Sequence, residues 1–245
     1  MQWHSSLNST LSAERLEEVR SKLPYTLHCS DRLRACFQDK PWQGNDPAQA
    51  SFLFVGLDAN YDADIEEKLP EIFKYLGDGV SYWQEDQEGF HHLFRMRRYH
   101  GDGRKYHDRF ATIGFIPENA GLVSFIELLH VPTTGRSDLK GIDLCPNHLL
   151  RLAKWFDYGS AKYIFFLSSK VTKLLRQTKK SHGLDLLPPN QVEMDGYYKD
   201  LKVLRKRNGQ TIYEIYHLSC YGWQWPKLER QIAQLREIVE NFINC

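Results

Sequence analysis

Ser51-Phe52-Leu53-Phe54-Val55-Gly56-Leu57 is an unbroken apolar run of β-forming residues closed by a glycine. A strand apolar on both faces has no face to offer water, so it belongs inside a parallel sheet covered by helices. Outward from it, two further runs read as strands, over residues 122–129 and 163–167. Two more flank Asn208-Gly209, a strong hairpin signal, over 201–207 and 211–217. Helical stripes alternate with these strands. Ile65, Leu69, Ile72, Phe73 and Leu76 form one, with Asp64 and Glu67 as a variant capping box and Pro70 as an interruption. Leu149, Leu150, Ala153 and Phe156 form another after Pro146; residues 170–180 read as a third. Leu228, Ile232, Leu235, Val239 and Phe242 mark the last, opened by Pro226. The expected class is α/β: a three-layer α/β/α sandwich on a mostly parallel central sheet of about four strands.

The flanks are less regular. Ser12, Leu16, Val19 and Leu23 predict a helix stopped by Pro24, within an N-terminal helical extension over about 1–48. Residues 38–49 read as a loop, and residues 77–120, lacking periodicity, as an insertion-like loop region. A single domain over 1–245 is expected.

Composition narrows the function classes. The 245 residues are 42% hydrophobic and 26% charged, ordinary for a globular chain and unlike a disordered one. Apolar runs are strand-sized, and the start of the chain lacks a basic and apolar leader pattern, so the expectation is a cytoplasmic protein without a membrane partner. Basic side chains number 32 against 31 acidic, a balance that speaks mildly against non-specific attachment to polyanions. The five cysteines form no CxxC pair, which argues against a disulfide framework or a zinc or iron–sulfur ligand set. No GxGxxG or GxxxxGK[ST] opens a helix after a strand, so no dinucleotide or nucleotide cofactor is implied.

Open α/β sheets bind ligands beyond the carboxyl ends of their strands. The residues found there are Gly56 to Tyr61, His130 to Gly135, Ser168 to Lys170, and His217 to Gly222. Gly56 allows close approach of a ligand to the backbone. Asp58 suits positioning water or stabilising a cation, or else a turn. His217 is either a functional imidazole or a satisfied histidine near the core. A metal site from His130, His217 and Cys220 matches no zinc spacing, and Cys220 as a nucleophile with His217 as base lacks an orienting third residue.

Gly56-Leu57-Asp58-Ala59-Asn60-Tyr61 resembles the first motif of the uracil-DNA glycosylase superfamily, and His217-Leu218-Ser219-Cys220 resembles its second, commonly His-Pro-Ser-Pro. The two lie 159 residues apart, compatible with that fold. Leu128-Leu129-His130 falls where many members carry Leu-Leu-Asn, and Ser168-Ser169-Lys170 falls near a Gly-Lys-x-Ala turn. The resemblance implies hydrolysis of the N-glycosidic bond of uracil or another damaged base in DNA, with Asp58 and His217 catalytic and no metal or other cofactor. Asp58 would stabilise an oxocarbenium-like sugar and position water; His217 would donate to the departing base. Gly56, Asn60, Tyr61, His130, Ser168 and Ser219 would bind the substrate, Ser219 by clamping a phosphate beside a flipped base.

Four departures bear on specificity. Asn60 replaces a tyrosine that excludes thymine's methyl group, which implies relaxed selectivity or another base. His130 replaces an asparagine, and a neutral imidazole has its donor and acceptor on opposite edges, unlike an amide. Leu218 and Cys220 replace both prolines of the second motif. The apolar DNA-wedge loop becomes Cys220-Tyr221-Gly222-Trp223-Gln224-Trp225, whose aromatics either stack on bases or pack. Residues 91–109 carry six Lys/Arg against two acids, and residues 170–182 and 199–209 carry five basic side chains each. Lys170, Lys173, Arg205, Lys206 and Arg207 are therefore the candidate DNA rim, with single- or double-stranded DNA bound by a monomer. Two other readings stay open: a non-catalytic nucleic-acid-binding protein of the same fold, and a small-molecule hydrolase on an unrelated α/β scaffold.

Overall fold

The computed structural model describes residues 23–85, 104–135, 138–187, 193–207 and 209–244. Its strands are β1 (Trp42–Gly44), β2 (Phe52–Gly56), β3 (Ala59–Asn60), β4 (Val123–Glu127), β5 (Pro132–Thr133), β6 (Tyr163–Phe166), β7 (Glu193–Met194), β8 (Lys202–Arg207) and β9 (Gln210–Glu214). Its helices are α1 (Asp31–Asp39), α2 (Ile65–Lys68), α3 (Ile72–Gly77), α4 (Gly79–Glu85), α5 (Arg104–Ala111), α6 (Pro146–Tyr158), α7 (Ser169–His182) and α8 (Trp225–Ile243).

The expected α/β class and central sheet are present, but the sheet is mixed and has seven strands among the described residues, in the order β1-β4-β2-β6-β9-β8-β7. Four neighbours, β4-β2-β6-β9, run parallel. β1 joins β4 antiparallel at one edge, while β8 and β7 extend the other edge antiparallel. The expectation of about four strands omitted β1 and β7 because three and two residues are too few to show a period of two. β1 also lies inside the stretch read as a loop from its Pro, Gly and Asn content.

Every residue of β2 is buried. Leu53 and Val55 enter an apolar cluster with Leu149, Leu152 and Phe156 of α6 and Leu174 and Leu175 of α7. Phe52 and Phe54 enter the opposite cluster with Leu228, Ile232 and Leu235 of α8, Trp83 of α4 and Phe110 of α5. Helices thus cover both faces, as the doubly apolar strand requires. On the second face an aromatic row crosses the parallel strands. Phe54 stacks on Phe125 at 5.5 Å and lies 5.2 Å from Phe165, which stacks on Tyr213 at 5.7 Å. Each such ring contributes roughly 1.5–3 kcal/mol by burial.

Pro70 splits its helical stripe into α2 and α3 as expected. Asp64 makes no capping bond; its carboxylate pairs with Lys68 at 2.9 Å instead. Leu150 is 52% exposed, and His148 and Leu152 take inward positions on α6. The region 77–120 is not one loop: α4, α5 and a 3₁₀ segment over Pro117–Leu122 occupy its described parts. Residues 86–103, the helix expected through Leu16 and Val19, and Asn208 of the hairpin lie outside the described residues. Gly209 takes φ 77°, the left-handed conformation for which the Asn-Gly turn needs glycine. No described helix is long and apolar enough to cross a membrane.

Candidate active site at the carboxyl ends of the parallel strands

Beyond the ends of β2 and β4 the chain pairs a second time, β3 against β5, with Ala59 opposite Pro132 and Asn60 opposite Thr133. Asp58 is thereby held between the two sheets, and its Oδ2 accepts a 2.6 Å hydrogen bond from Thr133 Oγ1. Tyr61 donates its N–H to the Thr133 carbonyl at 3.0 Å. Its ring is buried against Phe37 and His28 in a satellite core, so Tyr61 packs the loop rather than facing a ligand as expected. Asn60 is exposed.

Gly56 stands opposite Glu127 in the parallel register. A Cβ on Gly56 would overlap Glu127 Oε2 and fall 2.8 Å from its Cδ. The close approach that the glycine permits is made by the protein's own carboxyl group, which corrects the reading of Gly56 as a ligand-facing backbone. Glu127 Oε2 is buried and has no hydrogen-bond partner among the described residues, although the residue as a whole keeps partial exposure. Burial, reinforced by the Asp58 charge, pushes the Glu127 carboxyl well above the usual range.

His217 follows β9. The Ser219 N–H donates to His217 Nδ1 at 3.2 Å, so the neutral ring carries its proton on Nε2. The ring opens to solvent on one side, yet the surrounding protein crowds it. Burial lowers its pKa and the Arg109 charge adds to this, while Asp58 pulls the other way. The Arg109 guanidinium donates to the Leu218 and Cys220 carbonyls and lies 4.1 Å over the Trp225 ring, bracing the 217–220 turn. Tyr106 of α5 sits 5.6 Å from the His217 ring, and its hydroxyl is held protonated by burial and the Glu127 charge.

Comparison with known proteins finds no matching family model and no matching curated protein. The site therefore stands on its own geometry.

Ser168 and His217 line one cleft of about 480 Å³ between the ends of β6 and β9. Ser168 adopts φ 155°, ψ 159°, a region almost reserved for glycine, and stores strain at the start of α7. His130 lies 5.7 Å from the ring of His148, whose Nε2 donates to the Glu127 carbonyl at 2.7 Å.

The expected basic rim is divided. Lys170 and Lys173 line a hollow of about 390 Å³ at the start of α7, with Lys170 3.9 Å from Asp138. Arg205 lies toward the opposite, amino-terminal end of the parallel strands. It is committed to Asp157 at 3.0 Å, the Phe156 carbonyl at 2.9 Å and Gln210 at 2.7 Å. Lys206 is 3.7 Å from buried Asp195, and the side chain of Arg207 lies outside the described part. The hairpin carries these residues away because β9 must start at the sheet end opposite His217.

Glu127, Tyr106 and Arg109 were missed from sequence, while Thr133 lay within the strand-end stretch His130 to Gly135 without a role of its own. Glu127 left a signal: it is the one charge in the apolar run 122–129. Tyr106 and Arg109 left none, lying in the stretch without periodicity.

Proposed function

We propose that this protein is a DNA N-glycosylase-like hydrolase, built on the four parallel strands and acting on uracil or another damaged base. The observation that carries the reading is that Asp58 and His217, 159 positions apart in the chain, follow β2 and β9 at the same carboxyl end of the parallel strands. In this reading the Asp58 carboxylate, oriented by Thr133, supports the positive charge that grows on the sugar and aligns the attacking water. His217, protonated on Nε2, donates to the oxygen of the departing base. Ser219 lies in the same turn, placed to meet a flanking phosphate. The small, exposed Asn60 leaves space for a base larger or less regular than uracil.

DNA is the proposed partner, met by a monomer in the cytoplasm. Tyr221 and Trp223 support this, being 72% and 73% exposed on the turn beside His217. Lys227 adds its ammonium 5.5 Å over the Trp223 ring. Exposed rings next to a cleft suit stacking on unpaired bases, at about 1–3 kcal/mol per base.

The test is base release from labelled oligonucleotides carrying uracil, hypoxanthine or a mismatch, single- and double-stranded. Excision lost in both Asp58→Asn and His217→Ala is expected. Tight binding with no excision of any base would favour a non-catalytic binder of the same fold.

A further inference from the structure

We propose that the cleft beside His217 is a guanine-reading nucleotide site, in which Lys202 and Glu214 take the Watson–Crick edge of a guanine next to the damaged base; its place beside that base rests on the glycosylase reading above. The cleft holds about 480 Å³, within the range of small-molecule sites. Asp58 is not among its lining residues, so it extends away from the group assigned to the sugar, while His217 lines it. Met194, Lys202 and Glu214 stand opposite one another on β7, β8 and β9, in one row along the cleft. Other polar groups here are spent on the protein. Asp200 accepts from Arg230 Nε at 3.0 Å on one oxygen and from Gln234 at 3.2 Å on the other. Gln231 donates to the Asp200 carbonyl and accepts from the Tyr216 N–H. The pair on β8 and β9 has capacity left. Lys202 Nζ donates to Glu214 Oε1 at 2.7 Å, and that bond leaves Oε2 and the remaining ammonium hydrogens without a partner among the described residues. The Glu214 side chain is 12% exposed, so what it shows of itself faces the cleft.

Side by side, the ammonium donates and the carboxylate accepts. A guanine edge is the complement: O6 accepts, while N1–H and the N2 amino group donate. Lys202 Nζ meets O6, and Glu214 takes N1–H and N2–H on its two oxygens, all as charge-assisted bonds. Adenine and cytosine carry an amino group where guanine has O6, and a bare ring nitrogen where guanine has N1–H. Either base therefore sets donor against ammonium and lone pair against carboxylate. Thymine and uracil match at O4 and N3–H but turn O2 toward Glu214. The order expected is guanine, then thymine and uracil, then adenine and cytosine. Met194, 55% exposed at the open end of the row, offers apolar surface to the face of the base. Lys227 has no carboxylate partner among the described residues and is the cation left for the phosphate, with the Trp223 ring 5.5 Å away to carry the strand outward.

The experiment uses the full chain and its Glu214→Gln variant. Isothermal titration with 5′-dGMP, 5′-dAMP, 5′-dCMP and 5′-TMP gives the order of binding directly. Wild type is expected to bind dGMP at least about ten-fold more tightly than dAMP or dCMP. In Glu214→Gln, whose amide replaces one acceptor with a donor, dGMP affinity should fall to that of dAMP. Thermal melting shows whether the variant is folded; where it is not, the wild-type order alone decides. Excision from labelled single strands with uracil flanked by guanine or by adenine is the second measurement. A guanine neighbour should lower the half-saturating concentration by about ten-fold and leave the chemical rate unchanged, a preference that the variant loses. Equal binding of the nucleotides, no binding, or selectivity retained in Glu214→Gln overturns the proposal, and excision that persists beside that result leaves the glycosylase reading standing. Selective dGMP binding with excision indifferent to its neighbours overturns the place of the site beside the damaged base. Selective dGMP binding with no excision from any labelled strand overturns the glycosylase reading and leaves the guanine site.

Discussion

Asp58 and His217 act, in the proposed reaction, on charge that appears only as the glycosidic bond lengthens. Removing either should therefore slow the chemical step and leave affinity for the damaged strand nearly unchanged. Asp58→Asn and His217→Ala are each expected to lower the single-turnover rate by about 10²–10³, with dissociation constants within a few-fold of wild type. Unchanged excision in both variants would reduce the two motifs to turns. His148 gives a residue-scale prediction independent of activity. Its Nε2–H is used on the Glu127 carbonyl, and burial pushes its pKa down to about 4. A histidine that binds its second proton less readily folded than unfolded contributes stability above its unfolded pKa. That contribution is lost as pH falls toward 4, in total on the order of 3 kcal/mol. Glu127 works in the opposite direction: its raised pKa removes stability as pH rises. Melting temperature against pH should accordingly lose its acid slope in His148→Gln and rise at alkaline pH in Glu127→Gln.

At the scale of elements, the joint between β6 and α7 decides how the site is presented. Ser168 is the sole non-glycine residue with positive φ among those described, and it lines the cleft beside His217. Strain of this kind costs about 1–3 kcal/mol and persists only where the surroundings enforce it. Ser168→Gly should relieve it, raising stability by about 1 kcal/mol after the entropy of the added glycine. Denaturant unfolding reads this directly, and a loss of stability would show that the Ser168 side chain is engaged rather than strained. The β3–β5 pairing is a second element-scale device. Two residues on each side suffice to carry Asp58 to Thr133, because the ladder of β2 and β4 already continues through Leu128 and Leu129 to the Gly56 and Leu57 carbonyls.

For the molecule as a whole, the distribution of charge matters more than its sum of +1. Lys170 and Lys173 share the sheet end of the site, whereas Arg205 is tied to α6 at the other end. DNA affinity is expected to weaken as salt rises, and Lys170→Ala with Lys173→Ala should make that dependence shallower. Arg205→Ala should instead leave the salt dependence intact and cost about 1–3 kcal/mol of stability, because its Asp157 and Gln210 partners lose a buried donor. A fluorescent duplex titrated across a salt series, beside thermal melts of the same variants, separates the two. Salt dependence altered by Arg205→Ala would restore the undivided rim.

Local pattern alone determined the α/β class, the doubly covered β2, the break at Pro70, the left-handed glycine at 209 and the stripe of α8. Each depends on neighbours within one turn or one strand, where periodicity and backbone preference act directly. It also marked Asp58 and His217, because strand ends are legible and ligands gather there. Tertiary structure alone decided the rest. A three-residue strand such as β1 exists only because β4 offers it an edge. The Glu127 carboxyl is driven toward its acid form only because Gly56, in the adjacent strand, leaves it space among buried neighbours, and because the Asp58 charge opposes its own. Lys170 and Arg205 look alike in the chain, yet the hairpin's direction sends them to opposite ends of the sheet. Proton affinity and charge partnership depend on distances between segments far apart in sequence, and those distances arise only when the sheet is assembled.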